Sequence, residues 1–579
     1  MDIHRKSIHL KNAKKMEKKL ILKRKALPLV LSILIVALFQ FCQQKNADEK
    51  EFENSIYKTK NLKQAIQPLL QEIKEKGDSV LVIKNDSLLS FIFFKELIKT
   101  NGTLHFTTQG KLNENGDSLY RLLKQSRYYG LYNKDYHILK IDSLLPFLFN
   151  TKDNTYNAYN IACLELLMLD GYFKMAAHAN KGRFNPETFE TEWNPGKLDS
   201  NWVEIARSGY QKNNFRSAIE QLQPKHRDYL LLLSEFRNYI EKNKNYDWDS
   251  IKVSEIKDST KLPLRIIERL KAMGDYDTIP AESPSNFYKK CLIAFQNKHN
   301  LKPDGKLGRN TVQLLKQSKE ASIRMMEMSL ERWRWEKSIL PEKYFWINIP
   351  SAELKILEKD KNGKDTLVLF SNVVLGKPES QTPQLSSSIN YMTIYPYWNV
   401  PSSIAVHEIL PKVKKDTSYL RKKNFEILNA KGIILNVSEI NWKKISGDNI
   451  NFRFRQRIGA DNSLGIMVFN FPNPHSVYLH DTNSKSYFKS ANRFQSHGCI
   501  RLEKYVETAK FLIREDTLKI PYDTLDYYLT TSVQRKIAIK KKVPIYLRYY
   551  THVVDSTVGL LRYADIYEKD KALLEKIYK

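Results

Sequence analysis

The spacing of apolar residues changes once along the chain, and this change constrains the fold more than any other feature. Up to about residue 335 apolar side chains recur at helical spacing, as in Leu164, Met168, Tyr172 and Met175. From Tyr344 onward they form short apolar runs between turn signals, which is the pattern of β-strands. A helical part followed by a β-rich part predicts a multidomain α+β protein.

Length and composition set outer limits on this fold. A chain of 579 residues is too long for one ordinary core and suggests about three or four domains. With 42% hydrophobic and 11% aromatic residues, disorder is excluded as the main state, and 20 glycines are too few for a glycine-rich nucleotide-binding chain. The net charge of +30 favours anionic surroundings, which include nucleic acid, membrane surfaces and acidic polymers.

The four cysteines do not form a framework. Cys42, Cys163, Cys291 and Cys499 are scattered, without the paired spacing of disulfide-rich or zinc-binding chains. We interpret Cys163 and Cys291 as small buried apolar residues.

Residues 1–45 are interpreted as a signal or membrane anchor. Lysine and arginine crowd residues 1–25, an apolar run follows from Ala26 to Cys42, and the chain becomes polar again from Gln43. The run is marginal against the ~20 residues that span a bilayer, so a cleaved signal and an uncleaved anchor both remain open. Lipidation of Cys42 is a third possibility. Against it, this chain has Phe41 at the position directly before the cysteine, where the lipoprotein signal pattern has a small residue. In each case the bulk of the chain is exported, which weakens the nucleic-acid interpretation of the charge.

Residues 50–260 are predicted to form a helical scaffold domain without a catalytic constellation. One of its helices is expected to follow His226, and its buried face is predicted to contain Tyr229, Leu232, Leu233 and Phe236.

Residues 262–320 are predicted to form a small separate domain. The turn signals Asp304-Gly305 and Gly308 precede a helix whose cap is expected near Asn310 or Thr311. Together with Phe295-Gln296 and Leu301, this pattern resembles the small three-helix peptidoglycan-binding module.

The β-rich part is predicted to be one domain over residues 330–530. Asn362-Gly363 predicts a hairpin, and the basic, partly helical stretch at 402–456 is interpreted as an insertion. Residues 531–579 are expected to add a strand and a charged helix that pack on the scaffold or on this domain.

Two short segments carry the chemistry. His480 and Asp481 follow an apolar strand, and Cys499 lies in the polar, turn-prone sequence Ser-His-Gly-Cys-Ile-Arg. A thiol nucleophile needs a base and hydrogen-bond donors for the developing oxyanion. We expect His480 to supply the base, the amides of Gly498 and Cys499 to point at one spot, and an adjacent imidazolium to lower the thiol pKa.

This block closely resembles the signature of the L,D-transpeptidases with a YkuD-type catalytic domain. Supporting segments resemble the large multidomain periplasmic L,D-transpeptidases of Gram-negative bacteria. They are Leu330 to Trp335, Asn348 to Pro350, Gly376 to Pro378, Gln381 to Pro383, Pro396 to Pro401 and Asn462 to Gly465. The resemblance implies an α-helical scaffold, a small three-helix peptidoglycan-binding module and a mostly β YkuD-type catalytic domain with an inserted lid.

The resemblance also assigns roles to individual residues. It makes Cys499 the nucleophile and His480 the general base, oriented by the backbone carbonyl of Asp481; a triad through the Asp481 carboxylate is the alternative. Ser496 would support the loop, and His497 and Gly498 would be structural or line the oxyanion site. Many short family members have Asn where this chain has Arg501. That residue is a candidate either for binding a substrate carboxylate or for an internal salt bridge.

The implied reaction is acyl transfer between peptidoglycan stem tetrapeptides without a metal or cofactor. The thiolate would attack the carbonyl of the third stem residue, expel the terminal D-alanine and form a thioester. An amine of a second stem would then complete a 3→3 cross-link. By the same resemblance, the protein would be periplasmic, membrane-tethered and inhibited by carbapenems, with wall synthases as candidate partners and no nucleic-acid partner.

Two other functions stay open at this point. One is a peptidoglycan-binding scaffold with an inactive catalytic domain. The other is a metal-dependent wall peptidase, suggested by His475 and His480 although no third ligand stands at a convincing spacing. The insertion is expected to act as a lid over the thiol. Its basic residues are candidates for attracting anionic stems or for a solvated face: Lys412, Lys414, Lys415, Arg421, Lys422 and Lys423.

Overall fold

The computed structural model describes ten stretches of the chain. They are residues 81–83, 86–90, 92–93, 97, 105–150, 155–186, 201–245, 262–276, 284–515 and 520–578. The predicted signal or anchor at 1–45, with Cys42, lies outside them. Within these stretches no helix has both the length and the apolar character needed to cross a bilayer.

The chain divides into two compact units. The first takes in residues up to 126, 132–176 and 203–220, and the second takes in 127–131, 177–202 and all residues from 221 onward. Residues 221–245 of the predicted scaffold cluster with the second unit.

The first unit is mainly helical, as its apolar spacing predicts. Its helices are α1 (Glu114–Lys124), α2 (Ile138–Leu144), α3 (Ala158–Lys181, up to residue 176), α4 (Trp202–Gln211) and α5 (Phe215–Leu222). Three short strand pairs accompany them: β1 (Leu81–Ile83) with β2 (Asp86–Leu88), β3 (Thr107–Thr108) with β4 (Lys111–Leu112), and β5 (Phe149–Asn150) with β6 (Thr155–Tyr156). The predicted face of α3 is fully buried, and Cys163 is buried beside it.

Helices of the second unit build an apolar cluster against the β-rich part. They are α6 (Arg227–Lys242), α7 (Leu262–Ala272), α8 (Pro284–Lys298), α9 (Arg309–Leu315) and α10 (Lys319–Arg334). The predicted face of α6 and the side chain of Cys291 both lie in this cluster, together with Trp333 and Trp346. Burial of these residues supplies the apolar contacts that hold the helices in place.

The loop between α8 and α9 is held from within by the polar residues of its motif. The Gln296 side-chain amide donates to Lys306 O at 2.8 Å and to Thr311 Oγ1 at 3.2 Å, while its carbonyl accepts from Gly305 N at 2.8 Å. Helix α9 begins at Arg309 with Gly308 as its N-cap and no side-chain cap, so the cap expected near Asn310 or Thr311 was wrong. Thr311 is instead buried against Gln296.

The β-rich part is a sheet that closes on itself. Its strands are β7 (Lys343–Asn348), β8 (Glu353–Lys359), β9 (Asp365–Gly376), β10 (Leu385–Ile394), β14 (Met467–Asn470), β15 (Leu479–His480), β16 (Phe494–Ser496), β17 (Ile500–Leu502) and β18 (Arg535–Arg548). The nine strands lie in the order β16-β9-β17-β15-β14-β10-β18-β7-β8, and β8 also pairs with β9. The enclosed side chains form a separate apolar core that includes Leu479 and Ile500.

The hairpin predicted at Asn362-Gly363 is present. Strands β8 and β9 pair in antiparallel register around it, and Gly363 has a φ of +74°, which suits glycine. The tail adds α14 (Tyr505–Ile513), α15 (Tyr522–Thr530), the hairpin β19 (His552–Asp555) with β20 (Gly559–Arg562), and α16 (Lys569–Ile577). Strand β18 pairs with both β10 and β7, so the last long strand lies inside the sheet.

The insertion has its own small core. Its helical segments are α11 (Ser402–Ile404), a π-helical turn at Ala405–Ile409, α12 (Leu410–Lys415) and α13 (Ser418–Lys422). They lie between β11 (Trp398–Asn399) and β12 (Phe425–Leu428), and both strands pair with β13 (Arg453–Gln456) in a three-stranded sheet. Apolar residues including Val413, Ile427 and Phe454 pack together between them. The insertion is therefore mixed in structure, and the strands were not expected from its basic sequence.

A buried ion pair ties β18 to the end of α10. The Arg548 guanidinium donates to both oxygens of Glu336, to Leu385 O at 2.9 Å and to Ser386 Oγ at 2.9 Å. Replacing Arg548 by Met should lower the free energy of unfolding by about 3–5 kcal/mol, because Glu336 would stay buried without its partner. Chemical unfolding followed by near-ultraviolet circular dichroism measures this change.

The matched control for this prediction is the double variant Arg548→Met with Glu336→Met. Removing both charges takes away the uncompensated carboxylate, so the double variant should recover much of the lost stability. Equal destabilisation of the single and double variants would contradict this account of the pair.

Candidate active site

Parallel pairing of β15 with β17 brings the two predicted catalytic segments together. Leu479 lies opposite Ile500 and His480 lies opposite Arg501, and Ile500 N donates to Tyr478 O at 3.0 Å. Because side chains alternate along a strand, Leu479 and Ile500 point into the core. The side chains of Tyr478, His480, Cys499 and Arg501 consequently share the opposite face of these two strands.

The His480 imidazole is buried and held by backbone carbonyls. Its Nδ1 lies 2.5 Å from Asp481 O. Burial, and to a smaller extent the adjacent Arg501 guanidinium, lower the pKa of His480 to about 3, although the carbonyls of Asp481 and Leu464 act in the opposite direction. The imidazole is therefore neutral at neutral pH, with the Nδ1 proton directed at the carbonyl.

The carboxylate of Asp481 is engaged elsewhere. Its Oδ2 accepts from Ile466 N at 3.0 Å, and its Oδ1 pairs with Lys485. Gly465 approaches this carboxylate so closely that a Cβ there would lie 2.2 Å from Oδ2. The structure thus places the backbone carbonyl of Asp481, and not its carboxylate, against the imidazole.

The turn that precedes Cys499 is organised by Ser496. The Ser496 hydroxyl donates to Cys499 O at 2.6 Å and accepts from Gly498 N at 3.1 Å. Gly498 has a φ of +110°, a conformation that side-chain-bearing residues rarely adopt. Because its N–H is taken by Ser496, the expectation that the Gly498 amide points at an oxyanion was wrong. The Cys499 amide makes no hydrogen bond to the described residues.

A second loop clamps the same turn from the side. Thr382 Oγ1 accepts from Gly376 N at 2.9 Å and donates to Gly498 O at 2.9 Å. The Tyr567 hydroxyl donates to Gly376 O at 2.5 Å. A Cβ on Gly376 would lie 2.0 Å from Ser380 O and 3.0 Å from Gly498 Cα, so only glycine fits this approach.

The Cys499 thiol is partly shielded from solvent and protonated at rest. Burial raises its pKa, while hydrogen bonding from Tyr478 and the charge of Arg501 act in the opposite direction. The Tyr478 hydroxyl lies within hydrogen-bond reach of both the thiol and the Trp398 indole. The expected thiolate–imidazolium pair is therefore absent at rest, because burial disfavours both charged forms.

Arg501 and His497 have different surroundings. The Arg501 guanidinium lies 5.4 Å from the centre of the Tyr487 ring, and its Nε has no hydrogen-bond partner within the described stretches. Burial lowers the pKa of Arg501 and no carboxylate among the described residues acts on it, so the internal salt bridge considered from the sequence is not formed with any of them. His497 is 43% exposed and pairs with Glu408 in the π-helical turn of the insertion.

The sequence reasoning missed several residues of this site. Residues that contact the catalytic turn or face are Tyr478, Trp398, Thr382 and Glu408. Tyr567 contacts Gly376, which packs against the turn. Trp398 and Thr382 lie in segments that had already supported the family resemblance, which was the available signal. Tyr567 is distant in sequence and carried no such signal.

Metal ligands do not gather here. In the part of the chain that the structure describes, no group of three His, Cys, Asp or Glu side chains is placed to hold a metal ion. His475 is exposed whereas His480 is buried. No observation therefore favours these two histidines as ligands of one metal ion.

Comparison with known proteins agrees with this geometry. The L,D-transpeptidase catalytic domain of the YkuD family matches residues 342–520, which include the strands and turn described above. The chain carries a YkuD-type L,D-transpeptidase catalytic domain. A scaffold domain matches residues 99–235. A Haemophilus influenzae protein named "Putative L,D-transpeptidase" is 29% identical over 311 residues, which span 51% of this chain and 60% of that relative.

The neutral resting state of the L,D-transpeptidase site predicts a pH profile for the thiol. Alkylation of Cys499 by iodoacetamide should rise about tenfold per pH unit from pH 6 to 8, because only the thiolate reacts and its pKa is raised. Peptide mass mapping measures labelling at Cys499, with the buried Cys163 and Cys291 as internal controls. A rate that is already constant from pH 5 to 7 would indicate a resting ion pair and contradict the prediction.

The separate tasks of the Asp481 carbonyl and carboxylate predict unequal effects of two substitutions. Asp481→Asn should change the acylation rate by less than about threefold, since the backbone carbonyl remains, an amide oxygen can still accept from Ile466 N, and only the ion pair with the half-exposed Lys485 is lost. Gly465→Ala should lower that rate by about 100-fold, because the added Cβ displaces Asp481 and with it the imidazole. Stopped-flow acylation measures both. Equal effects would refute the assignment.

Proposed function

We propose that this protein is a peptidoglycan L,D-transpeptidase that forms 3→3 cross-links between stem peptides through a thioester on Cys499. The supporting observation is that Tyr478, His480, Cys499 and Arg501 share one face of paired strands inside an L,D-transpeptidase catalytic domain. A nucleophile, a base, an oxyanion donor and an anion-binding group are the parts that acyl transfer requires.

In the first half-reaction the thiol proton passes to His480 as sulfur attacks the carbonyl carbon of the donor's third residue. The carbonyl oxygen becomes an oxyanion, for which the Cys499 N–H and the Tyr478 hydroxyl are the available donors. The C–N bond to the terminal D-alanine then breaks, and His480 returns the proton to the leaving amine. The products are free D-alanine and an acyl thioester on Cys499.

In the second half-reaction the side-chain amine of an acceptor stem attacks the thioester carbonyl. The amine proton passes to His480, the C–S bond breaks, and the proton returns to the thiol. The energy of the cleaved amide is kept in the thioester, so no nucleotide is consumed.

Burial explains how His480 can act as a base despite its low resting pKa. While both groups are neutral, neither charged form is favoured in the shielded site. As sulfur loses its proton, the developing negative charge stabilises the imidazolium, so proton transfer and attack assist one another. Arg501 stabilises the same negative charge, and its unpaired guanidinium is the proposed partner of a substrate carboxylate.

The insertion is proposed to cover the thiol as a lid. The contact between Glu408 and His497 joins it directly to the catalytic turn. Its six basic residues, at positions 412, 414, 415, 421, 422 and 423, are all exposed. They are available to attract anionic stems, and they fit a solvated face equally well.

The cellular setting is also part of the proposal. Residues 1–45 would direct export and tether the protein to a membrane on the periplasmic side, through an anchor or a lipidated Cys42. The charge of +30 would favour retention on the anionic envelope. Stem tetrapeptides are the proposed donors and acceptors, wall synthases are proposed partners, and carbapenems are proposed inhibitors. The three-helix segment at 262–320 is proposed to bind peptidoglycan.

The reaction is tested with purified disaccharide-tetrapeptide and a carbapenem. The wild-type chain should release D-alanine, form a cross-linked dimer and gain one carbapenem mass. Cys499→Ala should abolish all three, and His480→Ala should lower acylation by about 10²–10⁴-fold at neutral pH with a residual rate that rises with pH. Intact-mass and muropeptide analysis measure these outcomes.

Cys291→Ala is the matched control, because it removes a buried thiol outside the site. It should retain adduct formation and cross-linking. D-Alanine release without a dimer would indicate hydrolysis or exchange and reject cross-linking. An adduct that persists in Cys499→Ala would reject the nucleophile, and an inert wild type would favour a binding scaffold.

A further inference from the structure

A second cavity lies on the outer face of strands β7, β8 and β9. It has a volume of about 350 Å³, within the roughly 300–1,000 Å³ range of small-molecule sites. Alternate residues of β7 point into it, namely Tyr344, Trp346 and Asn348, whereas the intervening Phe345 and Ile347 point into the sheet core. We call it the β7–β9 cavity.

One wall of the β7–β9 cavity is a stack of aromatic rings. Trp333 lies face to face with Trp346 at 5.4 Å and with Tyr550 at 4.8 Å between ring centres. Leu367 and Phe370 from β9 are 55% and 37% exposed at the cavity. The cavity therefore offers a rigid apolar surface that remains accessible at its rim.

The opposite side carries hydrogen-bonding groups that are only partly satisfied. His226 Nε2 and Asp365 Oδ1 are shielded from solvent and make no hydrogen bond within the described stretches, although His226 also interacts with the Lys337 backbone and Asp365 with the Tyr344 hydroxyl. A buried polar atom without a partner costs free energy, so such atoms indicate a missing ligand or water. Asp228 at the start of α6 and Glu353 of β8 add two carboxyls to the lining.

The charges of the cavity are mixed. Lys355 lowers the pKa of both Asp228 and Glu353, and Arg227 acts on Asp228 as well, although burial raises the pKa of each carboxyl overall. Cations thus already accompany these carboxyls, which disfavours a ligand that binds by positive charge alone. A neutral ligand ring with one apolar face would suit the aromatic wall of the cavity, and hydroxyl and amide groups at the edge of the ring would suit its polar wall.

We propose that the β7–β9 cavity binds a sugar unit of a glycan chain, in the form of an N-acetylated hexosamine. The apolar face of the ring would lie on the aromatic and aliphatic wall, and its hydroxyl and amide groups would meet His226, Asp228 and Asp365. Only the identity of the glycan rests on the proposed function: it would be the polymer that carries the stem peptides. The cavity would hold the glycan while the thiol site processes its peptides.

The test uses the full-length chain with Cys499→Ala, so that binding is measured without catalysis. The probe is chitotetraose, a peptide-free β-1,4-linked oligomer of N-acetylglucosamine, titrated by calorimetry and by tryptophan fluorescence. We expect saturable binding with a change in fluorescence, since Trp333 and Trp346 line the cavity. Asp228→Ala and Phe370→Ala should each raise the dissociation constant about tenfold or more.

Glu342→Ala is the control, because this exposed carboxylate precedes β7 and does not line the cavity. It should bind chitotetraose like the parent, and all variants should unfold at the same temperature. In the Cys499-containing chain, Asp228→Ala and Phe370→Ala should leave carbapenem adduct formation unchanged.

Other outcomes overturn the proposal. Absence of saccharide binding, or equal affinity in all variants, would reject the cavity as a sugar site. Binding of 1,5-diaminopentane or of the free stem peptide, but not of chitotetraose, would make it an amine or peptide site. Failure of the transpeptidase proposal would appear separately, as a lost adduct or dimer in the Cys499-containing chain.

Discussion

Parallel pairing between β15 and β17 is the constraint on which the site depends. It places Tyr478 beside Cys499 and His480 beside Arg501, although a long, mostly irregular segment separates the two strands in sequence. Parallel neighbours need a crossover connection, so this register exists only because the rest of the sheet holds both strands. Closure of the sheet through β8 and β9 leaves neither strand free to slip. A slip of one residue would send His480 into the apolar core.

The turn that precedes Cys499 is held in shape by side chains that take no part in the chemistry. Ser496 closes the turn on itself, and Thr382 bridges it to the close approach of Gly376. Tyr567, far along the chain, fixes the carbonyl of that same glycine. These contacts pair the polar groups around the turn with one another. The Cys499 N–H, in contrast, has no hydrogen-bond acceptor within the described stretches. Pre-organised donors of this kind lower the cost of stabilising an oxyanion.

Local signals predicted much of this protein, and long-range register accounts for what they missed. The buried faces of α3 and α6, the hairpin at Gly363 and the burial of Cys163 and Cys291 follow from periodicity and turn chemistry. The segment of Cys499 was identifiable from its polar, turn-prone sequence, and His480 from its place at the end of an apolar strand together with the family resemblance. The hydrogen bond that occupies the Gly498 amide depends on the rotamer of Ser496, which no spacing reveals. The contact of Tyr478 with the thiol depends on strand register, and the neutrality of the pair depends on burial.

The neutral resting forms of Cys499 and His480 affect both the resistance of the thiol to oxidation and its reactivity toward substrate. Burial that raises the pKa of Cys499 and lowers that of His480 makes the resting thiol a poor nucleophile toward any solvent oxidant, because oxidation proceeds through the thiolate. In the exported setting proposed above, where disulfides form readily, this would protect Cys499 from oxidation. The same burial strengthens the charges that appear during attack, because the shielded site screens them weakly. In the proposed mechanism, the thiol stays unreactive until a substrate carbonyl accepts the electron pair of the sulfur, and hydrogen bonds to the oxyanion then offset the cost of separating the charges.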